Sequence, residues 1–373
     1  MKLFYLANIR IPTEKAHGIQ IAKMSQAFAG HGVDLELVLP RRLNPIKQDL
    51  FKYYEIEKSF KIRRLPCLDL IALNIPKLGF WLESISFALF SFFYLIFKKA
   101  DIIYSRDLPM LFLLALFKNN LVLELHNLPG HFFLYRLVLR RAKLIIVLTR
   151  ELKKALLKRG VEKQKILVAP DAVSLEFFDI KETQEECRKK LNLPLNKKIV
   201  LYQGGLYRRK GVYILAESTR YLSENILTVF VGGPSKEFRR LKTQTLKSKN
   251  ILVLDYQLYS QMPYFLKAAD VFVLPNSKRS EHSRFWTSPM KLFEYMACQR
   301  PIIASDLPAI REILDKETAL FFEPDNPKDL AKKINMVLGN KELAEKISQR
   351  TWQNVQQYTW PKRAEKILAL LRK

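Results

Sequence analysis

The chain lacks most of the short motifs by which enzymes are recognised from sequence. Its three cysteines, Cys67, Cys187 and Cys298, have neither CxxC nor metal-ligand spacing, which predicts free thiols in a reducing compartment. A Walker A loop and the GxGxxG fingerprint are both absent, so nothing supports an ATPase or a dehydrogenase. The sequence also contains no repeat of fixed period and no low-complexity tract, which excludes repeat architectures.

Acidic residues are scarce relative to basic ones. The 373 residues include 36 Asp and Glu against 63 Lys and Arg, a formal net charge of +27. Such a balance indicates a polyanionic partner, which could be nucleic acid, an anionic membrane surface or a phosphorylated substrate. The excess is +14 in residues 1–175 and +13 in residues 176–373, so it is not held in a nucleic-acid-binding tail.

The sequence has no uninterrupted apolar run long enough to cross a bilayer. Glu83 is the only charged residue of Leu78–Phe97, and the remainder, Ser84–Phe97, counts fourteen residues with three serines among them. About 20 apolar residues are needed for a span. We therefore expect a buried or surface-seated helix. The N-terminus turns polar too early for a signal peptide and predicts a first buried strand.

Short apolar runs alternate with helix-length stretches along the whole chain. This alternation predicts parallel strands joined by helical crossovers, hence two doubly wound α/β domains with a boundary near 170–197. The predicted strands are Lys2–Ala7, Val33–Leu39, Asp101–Tyr104, Leu121–Leu125, Lys143–Leu148, Ile166–Ala169, Ile199–Tyr202, Leu227–Val231, Asn250–Leu254, Val271–Leu274 and Pro301–Ala304. Because ligands of such folds bind at the carboxyl ends of strands, the loops after the strands should hold the functional residues.

One strand leads into a glycine pair and a basic triplet. After Ile199–Tyr202 come Gly204 and Gly205, then Arg208-Arg209-Lys210-Gly211 and a predicted helix. Glycines allow close backbone approach, a helix N-terminus offers free N–H groups, and Lys and Arg supply positive charge. This combination suits a diphosphate. An ordinary turn with solvated basic residues is the alternative.

A second segment carries a carboxylate at the start of a predicted helix. The strand Val271–Leu274 is followed by a polar loop and by a helix that begins near Pro289. Glu294 lies one turn into that helix, beside an apolar stripe. It either stabilises the helix dipole or accepts hydrogen bonds from the hydroxyls of a sugar or ribose.

Taken together, these segments resemble a known family. Gly204…Lys210-Gly211, followed by Ser288-Pro289-Met290-Lys291-Leu292-Phe293-Glu294-Tyr295-Met296-Ala297, is similar to the group 1 (family 4) retaining GT-B glycosyltransferases. The resemblance extends in the family's order to His17-Gly18, Thr149-Arg150-Glu151-Leu152, Pro170-Asp171-Ala172-Val173 and Thr359-Trp360. It thus covers essentially the whole chain.

The resemblance implies the GT-B fold, in which two Rossmann-like doubly wound domains face each other across a cleft. We expect an N-terminal acceptor-side domain over 1–175, a nucleotide-sugar-binding domain over 176–357, and a helix over 358–373 that packs back on the first domain. It also implies a retaining hexosyl- or related transferase (EC class 2.4) that needs no metal and no cofactor besides its donor substrate.

The resemblance further assigns roles to individual residues. The expected catalytic residues are His126 near the transferred sugar, Lys210 at the donor diphosphate and Glu294 at the ribose. Gly18 is expected to let the first loop approach the phosphate or sugar, and Arg106 is a further candidate for the cleft. The remaining expected donor contacts are Gly204, Gly205, Arg208, Arg209, Ser288, Pro289 and Met290.

Two positions depart from the family pattern. The family's Arg five residues before its Lys is Gly205 here, and Arg208 or Arg209 are the candidates to replace its charge. The family has a second Glu separated from the position of Glu294 by seven residues; that position is Trp286 here, and Glu281 is a candidate substitute. These departures keep open a non-catalytic GT-B-like nucleotide- or sugar-binding protein, and an epimerase of related architecture is the other alternative.

The basic surface and the aromatic helix lead to expectations about partners. We expect a lipid-linked or glycan acceptor, as in assembly of cell-envelope polysaccharide or glycolipid, and attachment to an anionic membrane surface. The expected location is cytoplasmic, peripheral at the inner face of the cell membrane. Nucleic acid is not expected as a partner, because no basic groove motif with interleaved aromatics is present.

Overall fold

The chain folds into two compact units. A computed structural model describes residues 1–70, 76–130, 132–133, 135–233, 236–245 and 248–372. The first unit comprises residues Met1–Pro170 together with Trp360–Lys373, and the second comprises Asp171–Thr359.

The first unit contains a seven-stranded parallel sheet in the order β3-β2-β1-β4-β5-β6-β7. Its elements up to residue 170 are β1 (Lys2–Leu6), α1 (Ala16–Gly30), β2 (Asp34–Pro40), α2 (Leu50–Tyr53), β3 (Lys61–Leu65), α3 (Pro76–Ile96), β4 (Ile102–Ser105), α4 (Leu108–Phe112), β5 (Leu121–Leu125), α5 (Arg136–Arg141), β6 (Ala142–Val147), α6 (Arg150–Leu157) and β7 (Ile166–Val168). Every residue of β4 and β5 is buried, as expected for central strands covered by helices on both faces.

The second unit contains a six-stranded parallel sheet in the order β10-β9-β8-β11-β12-β13. Its elements are α7 (Leu175–Phe178), α8 (Gln184–Lys190), β8 (Lys198–Gln203), α9 (Val212–Ser218), β9 (Ile226–Val231), α10 (Lys236–Thr245), β10 (Ile251–Leu254), α11 (Met262–Ala268), β11 (Val271–Leu274), α12 (Met290–Ala297), β12 (Ile302–Ser305), α13 (Pro308–Arg311), β13 (Leu320–Phe322), α14 (Pro327–Gly339) and α15 (Lys341–Val355). Strand order reverses between β8 and β11, and loops at such a point form the ligand sites of open α/β sheets.

The last helix, α16 (Trp360–Leu371), belongs to the first unit. It packs on α1 and β6, and Trp360, Ile367 and Leu368 of its apolar face are buried. Its Arg363 donates hydrogen bonds to the carbonyl oxygens of Ala169 and Pro170. The end of the chain thereby becomes part of the first unit's core.

Two strands were not predicted from the sequence, and both lie at sheet edges. β3 reads KIRRL, in which three of five residues are charged, and β13 has only three residues. Edge strands are shorter and more charged than central ones because only one side of them is paired. The sequence pattern of Leu108–Phe117 predicts a single helix, but α4 ends at Phe112 and is followed by a 3-10 turn at Leu114–Leu116.

Helix α3 corresponds to the apolar segment noted in the sequence. Its stretch Leu78–Ile96 is long and apolar enough, by length and composition alone, to cross a membrane. The helix nevertheless packs on α4 and β3 of the first unit.

Candidate active site

The loop after β8 is built around two glycines in the left-handed backbone region. Gly204 has φ of +105° and Gly211 has φ of +72°. A Cβ at position 211 would lie 1.6 Å from the carbonyl oxygen of Pro275, which directly follows β11. Only glycine fits such a contact. The loop is thereby held against the end of β11, at the point where strand order reverses.

Two desolvated lysines meet beside this loop. Lys210 ends the 3-10 turn Arg208–Lys210, and Lys291, in the first turn of α12, is only 8% exposed. A Cβ at Gly204 would lie 3.1 Å from the Lys291 Nζ, which places the ammonium group against the glycine loop. Burial, and then the charge of Arg209, lowers the pKa of Lys210 to about 8; burial, and then Lys210, lowers the pKa of Lys291 well below its ordinary value.

Neither lysine forms an ion pair with a carboxylate of the described residues, although the charge of Glu294 partly offsets the lowering of the Lys291 pKa. Within the described part of the chain, neither Nζ forms an ion pair or a hydrogen bond; Lys291 instead lies over the Tyr202 ring, 3.6 Å from its centroid. Buried cations are normally paired, because an unpaired buried charge is costly. Lys210 and Lys291 with Arg209, called here the cation cluster, therefore suit an anionic ligand.

Of the two arginines before Lys210, Arg209 is the one near the site. Its charge lowers the pKa of both Lys210 and His282, whereas Arg208 lies over the ring of Tyr213, 5.4 Å from its centroid. A Cβ at Gly205 would lie 2.5 Å from the Tyr207 ring, over which Arg209 is stacked at 5.6 Å. The ring of Tyr207 thus occupies the space that a side chain at position 205 would need, which is consistent with glycine at that position.

Glu294 lies one turn further along α12 and is 5% exposed. Tyr259 donates a hydrogen bond to its Oε1 at 3.1 Å, and the Gln203 side chain donates one to its Oε2. Burial raises the pKa of Glu294 to about 7 despite these bonds and the charge of Lys291. The Gln203 Oε1 is buried without a hydrogen-bond partner. Glu294 and Gln203 can therefore still accept hydrogen bonds from the hydroxyl groups of a ligand.

The segment between β11 and α12 packs against the basic loop. The Ser277 N–H and the Ser283 hydroxyl both donate to the carbonyl oxygen of Arg209. His282 begins a π-helical turn that ends at Trp286; burial and then Arg209 lower its pKa to about 4, and its buried Nδ1 has no partner. Glu281, just before the turn, is exposed to solvent. A neutral imidazole therefore adjoins the cation cluster.

The residues just before α12 hold this segment in place. Ser288 accepts a hydrogen bond from the Asp171 N–H at 3.0 Å. Pro289 caps α12, which begins at the buried Met290, one residue later than predicted. These three residues therefore lie within a few positions of Lys291 and Glu294.

A separate buried polar cluster lies in the first unit around Glu124 of β5. Glu124 is fully buried and forms an ion pair with Arg363 of α16 at 3.1 Å. It also accepts hydrogen bonds from Gln20 at 2.7 Å and from Tyr104. Burial favours its neutral form, but the charge of Arg363, the hydrogen bond from His126 and the charge of Arg106 prevail, so that the Glu124 pKa lies well below its ordinary value.

His126 has both ring nitrogens engaged in this cluster. Its Nε2 lies 2.7 Å from Glu124 and its Nδ1 lies 3.1 Å from the guanidinium of Arg106. Because Arg106 can only donate, Nδ1 accepts and Nε2 carries the proton. Burial and Arg106 lower the His126 pKa to about 4, so the ring is neutral near pH 7. The network fixes the tautomer and orientation of the imidazole.

Gly18, in α1, is tightly enclosed. A Cβ there would lie 2.2 Å from the Tyr54 hydroxyl and 2.6 Å from the Thr13 methyl group. The Tyr54 hydroxyl in turn bonds both the N–H and the carbonyl oxygen of Thr13. Packing within the first unit thus accounts for the glycine, and its contact with a ligand stays a prediction.

The second unit brings together most of the predicted donor residues and adds four that the sequence reasoning missed. The structure places Gly204, Arg209, Lys210 and Glu294 around the same strand ends, whereas Arg208 points to Tyr213. The additional residues are Gln203, Tyr259, His282 and Lys291. Lys291 could have been found, because it stands three residues before Glu294 on the same helix face. Among the described residues no group of three or more His, Cys, Asp and Glu side chains could hold a metal ion.

Solved structures of similar fold cover the entire chain. Sucrose-phosphate synthase from Thermosynechococcus elongatus is 19% identical, with a TM-score of 0.79 over 100% of this chain and 98% of that one. HepE of Anabaena, solved with UDP, is 17% identical, with a TM-score of 0.76 over 100% of both chains; it has also been solved with UDP-glucose. These likenesses, together with the two parallel α/β units, define the fold as GT-B.

Sequence comparison places the second unit in a family. Residues 183–353 match the family "Glycosyl transferases group 1". TuaC of Bacillus subtilis, whose name assigns it provisionally as a teichuronic acid biosynthesis glycosyltransferase, is 27% identical over 237 residues, 63% of this chain and 57% of TuaC. The matched segments span about half the length of such curated relatives. Residues 183–353 of the second unit therefore match the group 1 glycosyltransferases and the whole chain has their GT-B fold, which confirms the resemblance seen in the sequence.

Proposed function

We propose that this protein transfers a sugar from a nucleotide-sugar donor to an acceptor hydroxyl, with retention of anomeric configuration and without a metal. One observation carries the proposal. The cation cluster holds two desolvated lysines that have no carboxylate partner in the described part of the chain, at the strand ends where open α/β sheets bind ligands. A donor diphosphate supplies the missing negative charge.

The cluster would act on the leaving group. As the bond between sugar and diphosphate breaks, negative charge grows on the phosphate oxygens. Lys210 and Lys291 are already desolvated and the exposed Arg209 lies beside them, so the three charges stabilise the leaving group with little reorganisation. The Gly205 N–H would add a donor to the same oxygens, whereas the Gly204 N–H already donates to the Val231 carbonyl oxygen at 2.8 Å.

Glu294 and Gln203 would bind the nucleotide ribose. Glu294 retains free lone pairs after accepting from Tyr259 and Gln203, and the Gln203 Oε1 is an unused acceptor beside it. Two ribose hydroxyls can donate to these oxygens. The complexes of HepE with UDP and UDP-glucose support a uridine donor as the first choice to test.

The acceptor and the location follow as further parts of the proposal. The name of TuaC supports a glycan acceptor of the cell envelope, either free or lipid-linked. Transfer to such an acceptor from a nucleotide sugar would take place on the cytoplasmic side. In the first unit, the neutral ring of His126, oriented by Glu124 and Arg106, is assigned to contact with the transferred sugar.

A donor screen tests the proposal. UDP-, GDP- and ADP-linked sugars are incubated with the protein and candidate acceptors, and release of nucleoside diphosphate is measured. Lys291→Met and Lys210→Met should each lower the rate at least about tenfold, if each charge contributes about 1.4 kcal/mol to the transition state. Lys332→Met, an exposed lysine of α14, is the matched control.

Two results would contradict the proposal. Donor binding with no transfer or hydrolysis for any nucleotide sugar would indicate a non-catalytic binding protein. Full activity of both lysine variants would remove the cation cluster from the mechanism.

A further inference from the structure

Helix α3 turns its large apolar side chains towards solvent. Trp81 is 57% exposed, Phe93 65% and Phe97, just after the helix, 90%. These residues belong to a set of eight, called here the α3 face: Leu78, Phe80, Trp81, Ile85, Leu89, Phe90, Phe93 and Phe97. They make up eight of the nineteen exposed large apolar side chains found in the described ranges of the chain. A continuous apolar surface of this kind marks an interaction site.

The buried side of the same helix is unusually polar. Glu83, Ser84, Ser86 and Ser91 all face the first unit and are buried. Ser84 accepts a hydrogen bond from the Asn8 side chain at 3.0 Å, and Ser86 accepts one from the Leu68 N–H at 2.9 Å. The buried side is thus mixed, because Phe87 and Leu95 are buried beside these polar residues, while the exposed side is apolar, unlike that of an ordinary surface helix. Packing within the unit does not explain the apolar side.

Positive charge borders the α3 face at its C-terminal end. Lys98 and Arg63 lie over the ring of Tyr94, at 4.6 and 5.8 Å from its centroid, and Lys99 follows next to them and is exposed. The one charged residue of Leu78–Phe97, Glu83, is buried away from the face. Arg63 also pairs with Glu36 at 3.5 Å, but that carboxylate is only 14% exposed, so the α3 face presents mainly aromatic rings and cations.

We propose that the α3 face seats the first unit on an anionic lipid bilayer, with the helix lying in the plane of the interface. Aromatic residues enter the boundary between headgroups and acyl chains, while Arg63, Lys98 and Lys99 meet the anionic headgroups. The charge of the surface is complementary to such a membrane. A second protein would have to match both an apolar stripe and its basic border.

The buried side of α3 argues against a transmembrane span. Phe87 and Leu95 are fully inaccessible, as are Glu83 and Ser91. A crossing helix would have to leave the unit and expose this carboxyl group and hydroxyl to lipid, which is costly. Lying in the interface keeps these contacts and uses only the exposed side.

Binding to vesicles of defined composition tests this proposal without any donor or acceptor. A failed transfer reaction therefore leaves the result unaffected, and a failed membrane result leaves the transfer proposal standing. The full chain should cosediment with vesicles of phosphatidylglycerol and phosphatidylcholine at low salt. Binding should weaken as salt rises and be much weaker to phosphatidylcholine alone.

Variants of exposed residues locate the contact. Trp81→Ser with Phe93→Ser should weaken vesicle binding about tenfold or more, and Lys98→Gln with Lys99→Gln about tenfold. The matched control is Leu258→Ser with Met336→Ser, two exposed apolar residues of the second unit. Brominated lipids should quench the protein's fluorescence, and Trp81→Phe should abolish most of that quenching while binding persists.

Four outcomes would overturn the proposal. They are absence of vesicle binding at low salt, unchanged binding of the Trp81/Phe93 variant, and retention in membranes after alkaline carbonate extraction, which indicates a span. The fourth is a dimer in solution, without vesicles, that the Trp81/Phe93 variant dissociates, since the face would then be a self-association surface.

Discussion

Replacing Lys210 by Met should make the free protein more stable and the donor site weaker. The pKa of Lys210 lies at about 8 instead of the ordinary 10.5, because its ammonium group has lost water without gaining an anion. That difference corresponds to about 3 kcal/mol by which folding disfavours the charged form. Part of the side chain is still exposed, so the figure is an upper value.

The pH dependence of this effect has a definite sign. A lysine whose pKa is lower in the folded state binds fewer protons there than in the unfolded chain between about pH 8 and 10.5. The wild-type protein carries the full penalty below pH 8 and loses it as the pH rises. The gain from Lys210→Met should therefore be largest at pH 7 and shrink above pH 8.

Thermal unfolding of the second unit measures the effect. In a unit of this size a gain of about 3 kcal/mol raises Tm by about 5–10 °C at pH 7. Affinity for UDP, measured by titration, should fall at least about tenfold, because hydrogen bonds to charged groups are worth about 1.5–3 kcal/mol. Lys332→Met should change Tm and affinity little. A lower Tm together with unchanged UDP affinity would refute the reasoning, since Lys210 would then be an ordinary structural residue.

Three further substitutions test other contacts. The pKa of Glu294 is raised from 4.5 to about 7, so the folded state favours the protonated carboxyl group, and about 3 kcal/mol of stability is lost as the pH rises from 4.5 through 7. Glu294→Gln should flatten the resulting fall in Tm between pH 5 and 8. An unchanged slope would contradict the burial argument. Arg363→Met leaves Glu124 buried without its main counterion and should lower the free energy of unfolding, measured by chemical denaturation, by about 3–5 kcal/mol. Adding Glu124→Gln to this variant should restore part of the loss. A loss below about 1 kcal/mol would show that the ion pair is not needed for stability. Gly211→Ala places a Cβ 1.6 Å from the Pro275 carbonyl oxygen at a φ of +72°, so Tm should fall by several degrees. The control is Gly339→Ala, which has open space around it and should leave Tm unchanged or raise it.

The central parts of both sheets could be predicted because their strands read as continuous apolar runs. β5 and β9, for example, are buried at every residue, and each contains a single polar residue, Glu124 and Thr228. The edge strands could not be predicted in the same way. β3, with the sequence KIRRL, is charged at three of its five positions, and its pairing with β2 depends on the rest of the sheet.

The candidate donor site was only partly predictable, for a physical reason. Gly204, Lys210 and Glu294 stand at strand ends and helix starts, so their positions follow from the order of elements along the chain. Gln203 and Tyr259 matter through hydrogen bonds to a residue that lies far away in sequence. Their importance depends on the burial of Glu294, which no local pattern reveals.

The environment of Gly205 explains how the site can do without an arginine at that position. A side chain at 205 would collide with the ring of Tyr207, and that ring supports Arg209 and Lys210. The additional positive charge comes from Lys291 instead, on the helix that also carries Glu294. Because Lys291 and Glu294 stand three residues apart on one rigid helix, a ligand that displaces α12 alters both contacts at once. In the proposed donor complex, charge at the diphosphate and hydrogen bonding at the ribose would therefore both be set by α12, whereas an arginine at 205 would have placed the charge on the glycine loop.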